Sequence, residues 1–286
     1  MTIMNFPPVE IRSGALRLAL RPDVGGSVAG LWHGDLPVWR SADPLALAQP
    51  REGANFPLVP YSGRIGYRRF RWQGRDHTTL ANFGDNPHSL HGVGWTRAWR
   101  VVQARGDAAE LALSHQPDAE WPFAFEATQA FALDPQGLRS TMSITNTGDV
   151  TAPVGLGWHP YFPRRERSRV HAEISGRWET DPFELPNRCV PQPGIDADVA
   201  HMAYDHCFEG WQGAARVRDE RLRVTLTSSL PYLVVYTPAQ QDYFCVEPVS
   251  HVPNAIHMAE PARHGVRALA PGETFSAWMR VDVSPV

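Results

Sequence analysis

The 286-residue sequence contains no lysine, so all 27 of its fixed cationic side chains are arginine. Schiff-base and pyridoxal-phosphate enzymes and phosphate loops of the GK[ST] type each need a lysine amine, and all are excluded. Arginine clamps and orients but gives up no proton near neutral pH, so proton transfer falls to the 12 His and the 30 Asp plus Glu. Cysteine is nearly as scarce. Cys189, Cys207 and Cys245 are odd in number and far apart, which fits neither a disulfide framework nor a paired CxxC metal site, and a reducing compartment is expected. Long apolar runs are missing too. MTIMNFPPVEIR has neither a basic start nor a continuous apolar stretch, and no segment approaches the roughly 18 apolar residues of a membrane span. With a net charge of only −3 there is no electrostatic footprint for nucleic acid or an anionic membrane. A cytoplasmic protein with neither partner is expected.

What is abundant is punctuation. The chain has 23 Gly and 26 Pro, which leave little room for long helices. Short alternating segments lie between them. Leu138, Met142 and Ile144 share one face of a stretch whose other face carries Arg139, Thr141, Ser143 and Thr145, and Leu222, Val224 and Leu226 alternate with Arg223, Thr225 and Thr227. PDVGG (22–26), RGD (105–107), DPQG (134–137) and APGE (270–273) each read as a turn joining two strand-like stretches. This pattern predicts an antiparallel β-sandwich or barrel in a single domain spanning 1–286. The Pro-rich stretch 181–194 reads as a long surface loop.

Five turn-like segments concentrate His, Arg, Trp and carboxylate: PLVPYSGRIG (57–66), HSLHGVGW (88–95), GLGWHPYFP (155–163), YDHCFEGW (204–211) and CVEPVSHVPN (245–254). Singly, each has a structural explanation. Arg64 reads as a surface arginine, His159 as a satisfied core histidine, Glu247 as an edge-strand glutamate and Asp205 as a turn initiator. Together they supply titratable groups, a fixed cation, a second carboxylate and aromatic faces. That inventory suits acid–base chemistry on a polyhydroxylated ring, with aromatic faces against C–H groups and polar groups on the hydroxyls. His88 and His91 form H-x-x-H, but three-residue spacing in a glycine-containing turn is poor evidence for ligation, and no metal or other cofactor is expected.

These segments resemble the aldose 1-epimerase (mutarotase) family nearly end to end. GGSVAGL (25–31) resembles its glycine-containing turn, PLVPYSGRIG its P-x-x-NRI segment, and LHG (90–92) and GWHPYF its two histidine segments. The aspartate of YDHCFEGW, CVEPVSHVPNA and LAPGETF (269–275) complete the match. The resemblance implies an all-β, large antiparallel sandwich with an open concave face. It implies Glu247, His159 and His91 as catalytic residues, Arg64 and Asp205 as substrate-binding residues, and a monosaccharide as substrate. Gly63 stands where the family usually has asparagine.

Anomer interconversion needs a proton removed from the C1 hydroxyl and one added to the ring oxygen, which a base and an acid accomplish without a cofactor. Glu247 is expected as base and His159 as acid, charged as an ion pair when close. A hexose-6-phosphate epimerase is the alternative, motivated by Arg68, Arg69, Arg71, Arg75, Arg164, Arg165 and Arg167. A non-catalytic sugar-binding or sugar-sensing module is another. His251 and His257 read as structural, and Trp95, Trp158, Phe208 and Trp211 as either packing or sugar-stacking residues.

Overall fold

A computed structural model describes residues 7–286. Residues 1–6, which begin the stretch searched for a leader, lie outside the described residues. The chain forms an all-β antiparallel sandwich, as its periodicity and the family resemblance predict. Its described helical elements are six 3₁₀ turns of three or four residues. None is long and apolar enough to cross a membrane.

One sheet has nine strands. Its centre runs Phe125–Asp134, Gly137–Asn146, Thr274–Pro285 and Leu222–Ser228, each antiparallel to the next. Leu138, Met142 and Ile144 are buried as the alternation predicts, and Ser140 shares their face. The DPQG turn closes through Asp134, whose Oδ1 accepts from the N–H groups of Gln136 and Gly137 at 2.8 and 3.0 Å. This is the backbone mimicry that makes Asp a turn residue. Asp219 does the same for Arg221 and Leu222 before the next inner strand.

The second sheet has eight strands, with Asp205–Glu209, Tyr232–Tyr236 and Tyr243–Val249 at its middle. Phe208, Leu233, Val235, Phe244 and Val246 meet Leu138, Met142, Ile144, Leu226 and Val281 of the first sheet in one buried core. A four-stranded sheet, from Val9–Ser13 to Leu36–Pro37, adds Ile11, Leu16, Leu18 and Leu20 to it. Side-chain direction alternates along a strand, so burying Phe244 and Val246 turns Tyr243, Cys245, Glu247 and Val249 to the opposite face. A one-residue slip would place Glu247 in the apolar core, where an unpaired carboxylate is costly.

The stretch 181–194 is not simply a loop. Pro186–Pro191 is the edge strand of the eight-stranded sheet, paired with Gly176–Thr180. Its prolines sit at the strand's two ends, at a sheet edge where a missing N–H is tolerated. The composition concealed the strand because prolines bracket it.

Candidate active site

On the outward face of the eight-stranded sheet lies a cleft of about 620 Å³, lined among others by Arg64, His91, His159, Asp205 and Glu247. All five expected site residues therefore share one cavity, although 183 positions separate Arg64 from Glu247 in the chain. Sheet register explains the gathering. Glu247 opposes Val234, Asp205 opposes Tyr236, and Tyr236 opposes Cys245, which pairs in turn with Tyr161.

Glu247 and His159 form the floor. Nε2 of His159 lies 3.5 Å from Oε1 of Glu247, and both residues are buried. The imidazole is stacked between Phe56 and Tyr161, each with its centroid 4.6 Å away and nearly parallel. Such aromatic pairs contribute about 0.5–1.5 kcal/mol each and fix the ring plane. The His159 N–H donates to Asn55 Oδ1 at 2.9 Å, which ties the main chain of the HPYF segment to the stretch just before the strand Pro57–Leu58. Burial works against charge on both partners. It pushes His159 down to about 3 and, helped by the nearby Asp205 carboxylate, holds Glu247 well above the usual carboxylate range. His159 Nδ1 is buried without a hydrogen-bond partner, so a second N–H there would also go unsatisfied. Both shifts therefore oppose the ion pair expected from proximity. They favour a neutral pair whose one exchangeable proton is on the carboxyl.

His91 is held differently. Its backbone lies in the left-handed region, φ +60°, and it exchanges two hydrogen bonds with Gly63. The His91 N–H donates to the Gly63 carbonyl at 2.8 Å, and the Gly63 N–H donates to His91 Nδ1 at 3.1 Å. Because Nδ1 accepts, the proton of the neutral imidazole is on Nε2. Burial, with His159 and Arg64 nearby, pushes His91 well below the ordinary histidine range and keeps it in that form. Gly63 itself has φ +65°, and a Cβ there would lie 2.6 Å from Pro253 Cβ. The departure from the usual asparagine thus has a steric reason.

Arg64 follows Gly63 in the strand Arg64–Ile65, paired with Ser89–Leu90. Its Nη2 meets Glu184 Oε2 at 2.5 Å. Glu184, at φ +64°, comes from the turn leading to the Pro-rich edge strand and closes one end of the cleft. Asp205 begins its strand at the same end and lines the cleft. Desolvation raises its carboxyl pKa while the Arg64 cation opposes the rise.

Sequence reasoning missed several lining residues. Phe56 and Tyr161 flank His159, Glu184 holds Arg64, and Arg40 and Arg51 line the opposite end. Tyr161 was visible inside GWHPYF, but no pattern marked the others. Trp158 and Phe208 are in the core, as is most of Trp211, whereas Trp95 lines the cleft with its Nε1–H donating to the Leu90 carbonyl. His251 is structural: its Nε2 accepts from the Ser62 N–H and its Nδ1–H donates to the Val252 carbonyl, which props up the Ser62–Gly63 turn. His257 lies away from the cleft, beside an outer groove.

His88 does not join His91 in a metal site, since its Nδ1 accepts from the Tyr67 N–H and its Nε2–H donates to the Phe183 carbonyl. Among the described residues, the group close enough to share an ion is instead His159, Cys245 and Glu247, with donor atoms within 4.8 Å of one another. Burial pushes the Cys245 thiol well up, which opposes the thiolate a metal would need. None of the seven arginines that motivated a phosphorylated substrate lines the cleft. Arg68, Arg69 and Arg71 border the outer groove, and Arg165 is paired with Asp219.

The aldose 1-epimerase family profile matches residues 7–282. "Uncharacterized protein YphB" of Escherichia coli K12 is 32% identical over 94% of this chain and 96% of its own length. A crystal structure of an Escherichia coli K12 protein superposes with TM-score 0.89 at 30% identity, covering 98% of this chain and 99% of that one. A galactose mutarotase-like protein of Clostridium acetobutylicum shares the fold, with TM-score 0.86 at 20% identity over 97% and 95% of the two chains.

Proposed function

The chain belongs to the aldose 1-epimerase family, and on that premise we propose that it interconverts the α and β anomers of an aldose by acid–base opening and closure of the sugar ring. The observation that carries this reading is the buried Glu247–His159 pair, 3.5 Å apart, at the floor of a cleft with ample room for a monosaccharide.

A pair with one proton suits a reaction that moves one proton from O1 to O5. A bound sugar donates its O1–H to the Glu247 carboxylate and accepts from His159 Nε2 at O5. Those hydrogen bonds stabilise the charged form that burial disfavours in the empty cleft. Glu247 then takes the O1 proton as His159 delivers its own to O5, the C1–O5 bond breaks, and an open-chain aldehyde results. After rotation about C1–C2, closure on the other face runs the transfers backwards. His91, with its proton on Nε2, donates toward the O5–C1 region. Arg64 and Asp205 orient ring hydroxyls from the other end, and Arg64 does so by relaxing its contact with Glu184. No lysine is available to substitute in any of these transfers.

The test is catalysed mutarotation followed by polarimetry on the folded variants Glu247→Gln and His159→Asn. Both are expected to lose nearly all acceleration while binding sugar about as well as the parent. Retention of most activity by Glu247→Gln would overturn its role as base. Sugar binding by the parent without faster exchange would make the protein a binding module instead.

A further inference from the structure

One end of the cleft carries a cation that the acid–base reading leaves without a task. Arg40, which follows the four-stranded sheet, lines the cavity with its guanidinium 4.0 Å from the centre of the Tyr161 ring and 4.5 Å from that of Tyr243. Its Nε donates to the Gly53 carbonyl at 3.1 Å. Its Nη2 donates to the carbonyls of Gly53, at 2.8 Å, and Arg51. These main-chain bonds lock the plane of the group but neutralise nothing. Among the described residues Arg40 forms no ion pair, in contrast to Arg21, Arg64, Arg97, Arg165, Arg169 and Arg280. Arg51 lines the same end, with its guanidinium over Phe83 and one bond to Gln49. The single carboxylate lining this end, Glu52, is exposed and pairs with neither arginine.

The position of Arg40 relative to the acid gives the cation a meaning. Phe56, His159, Tyr161 and Arg40 form one continuous stack, so Arg40 is a single tyrosine ring beyond His159. The ring oxygen that His159 protonates is bonded to C1 and to C5. With Glu247 on the C1 side, the substituent on C5 lies on the far side of the ring oxygen from Glu247. Asp205 and Glu184 occupy the opposite end, where an anion would be repelled.

We propose that the cleft selects aldoses bearing an anionic group on the C5 side, a carboxylate, phosphate or sulfate at the C6 position, and that Arg40 receives that group. This proposal rests on the epimerase reading for the placement of the sugar, and it names the substrate class of the same site. Stacking between two tyrosines pre-organises the guanidinium, and an anion replaces the water on its cleft-facing edge with charge-assisted hydrogen bonds. Arg51 adds a second, more solvated cation. The arginines singled out from sequence for phosphate are elsewhere; this role depends on one that no motif marked.

Two measurements on the full chain test it. The first is equilibrium binding of glucose, glucuronate, glucose 6-phosphate and glucose 6-sulfate by calorimetry, at low and high salt. The second is anomer exchange of the same four sugars by NMR, with the parent, Arg40→Met and Arg40→Lys. At least one anionic sugar is expected to bind ten times or more tighter than glucose, with an affinity that falls as salt rises, and to show a correspondingly higher kcat/KM. Whichever of the three anions does so identifies the group. Arg40→Met should lower kcat/KM for that sugar at least ten times more than for glucose, mainly through KM, with Arg40→Lys between. Anionic sugars binding no better than glucose in the unmodified protein would overturn the proposal, a result that does not depend on any variant folding. An equal loss for charged and neutral sugars in Arg40→Met would also overturn it, assigning Arg40 to support of the Tyr161–His159 stack. If no sugar exchanges faster, the epimerase reading fails, while salt-sensitive binding of an anion lost in Arg40→Met would still uphold the anion site.

Discussion

Replacing Gly63 with alanine tests how closely the site is tied to one backbone position. The new Cβ would lie 2.6 Å from Pro253 Cβ and 2.8 Å from its Cγ. Ordinary carbon contacts are near 3.5 Å, so the two segments must separate by roughly 1 Å. The backbone adds its own cost, because φ +65° disfavours any Cβ by about 1–2 kcal/mol. With about 1–3 kcal/mol for overpacking, the expected destabilisation is roughly 2–5 kcal/mol. The functional loss should be larger than folding alone implies. Gly63 donates to His91 Nδ1, accepts from the His91 N–H and precedes Arg64, so its displacement misaims two site residues together. Misplacement on this scale costs up to about a hundredfold in rate. Urea unfolding gives the first quantity, and polarimetry under conditions where the variant is folded gives the second. Pro253→Gly removes both clashing carbons, so the double variant should recover the steric part but not the φ part, with a coupling of at least about 1 kcal/mol. A Gly63→Ala protein within about 0.5 kcal/mol of the parent and fully active would refute the steric account.

Other outcomes follow from the same geometry. Because burial raises Glu247 and lowers His159 to about 3, the one-proton form of the pair should persist over a wide pH range and give a broad plateau in kcat/KM; limbs near the free values of about 4.3 and 6.5 would show that burial does not set the charge state. His251 is depressed to about 4 in the fold, so the stability it confers is complete above about pH 6.5 and is lost as pH falls toward 4. The loss is about 3 kcal/mol, and His251→Gln, which can keep a donor and an acceptor, should show a shallower acid dependence in denaturant titrations. Exhaustive EDTA treatment should leave mutarotation unchanged, since the proposed transfers need only side chains; a loss restored by a divalent ion would place a metal at His159, Cys245 and Glu247.

Much of the molecule was legible in one dimension. The absence of lysine restricted proton transfer to carboxylates and imidazoles, alternation around Met142 and Val224 marked inner strands, and Asp134 and Gly137 marked a hairpin turn. These are local properties: side-chain direction alternates with the backbone, and a turn depends on residues a few positions apart. The edge strand Pro186–Pro191 escaped because its partner strand, not its composition, makes it a strand.

The resemblance supplied the five candidate residues, but their state was beyond sequence. Whether Glu247 is ionised depends on how much water reaches it, and that depends on Phe56, Tyr161 and the sheets around them. The proton position on His91 depends on an N–H donated 28 residues earlier. Arg40 shows the same limit: it is one arginine of 27, distinguished only by the two tyrosine rings that hold it and by the carboxylate that no neighbour provides. Residue order determined which chemistries the chain could and could not perform. Tertiary packing decided which groups carry charge and which way they face, because solvation and partner geometry arise only when distant strands meet.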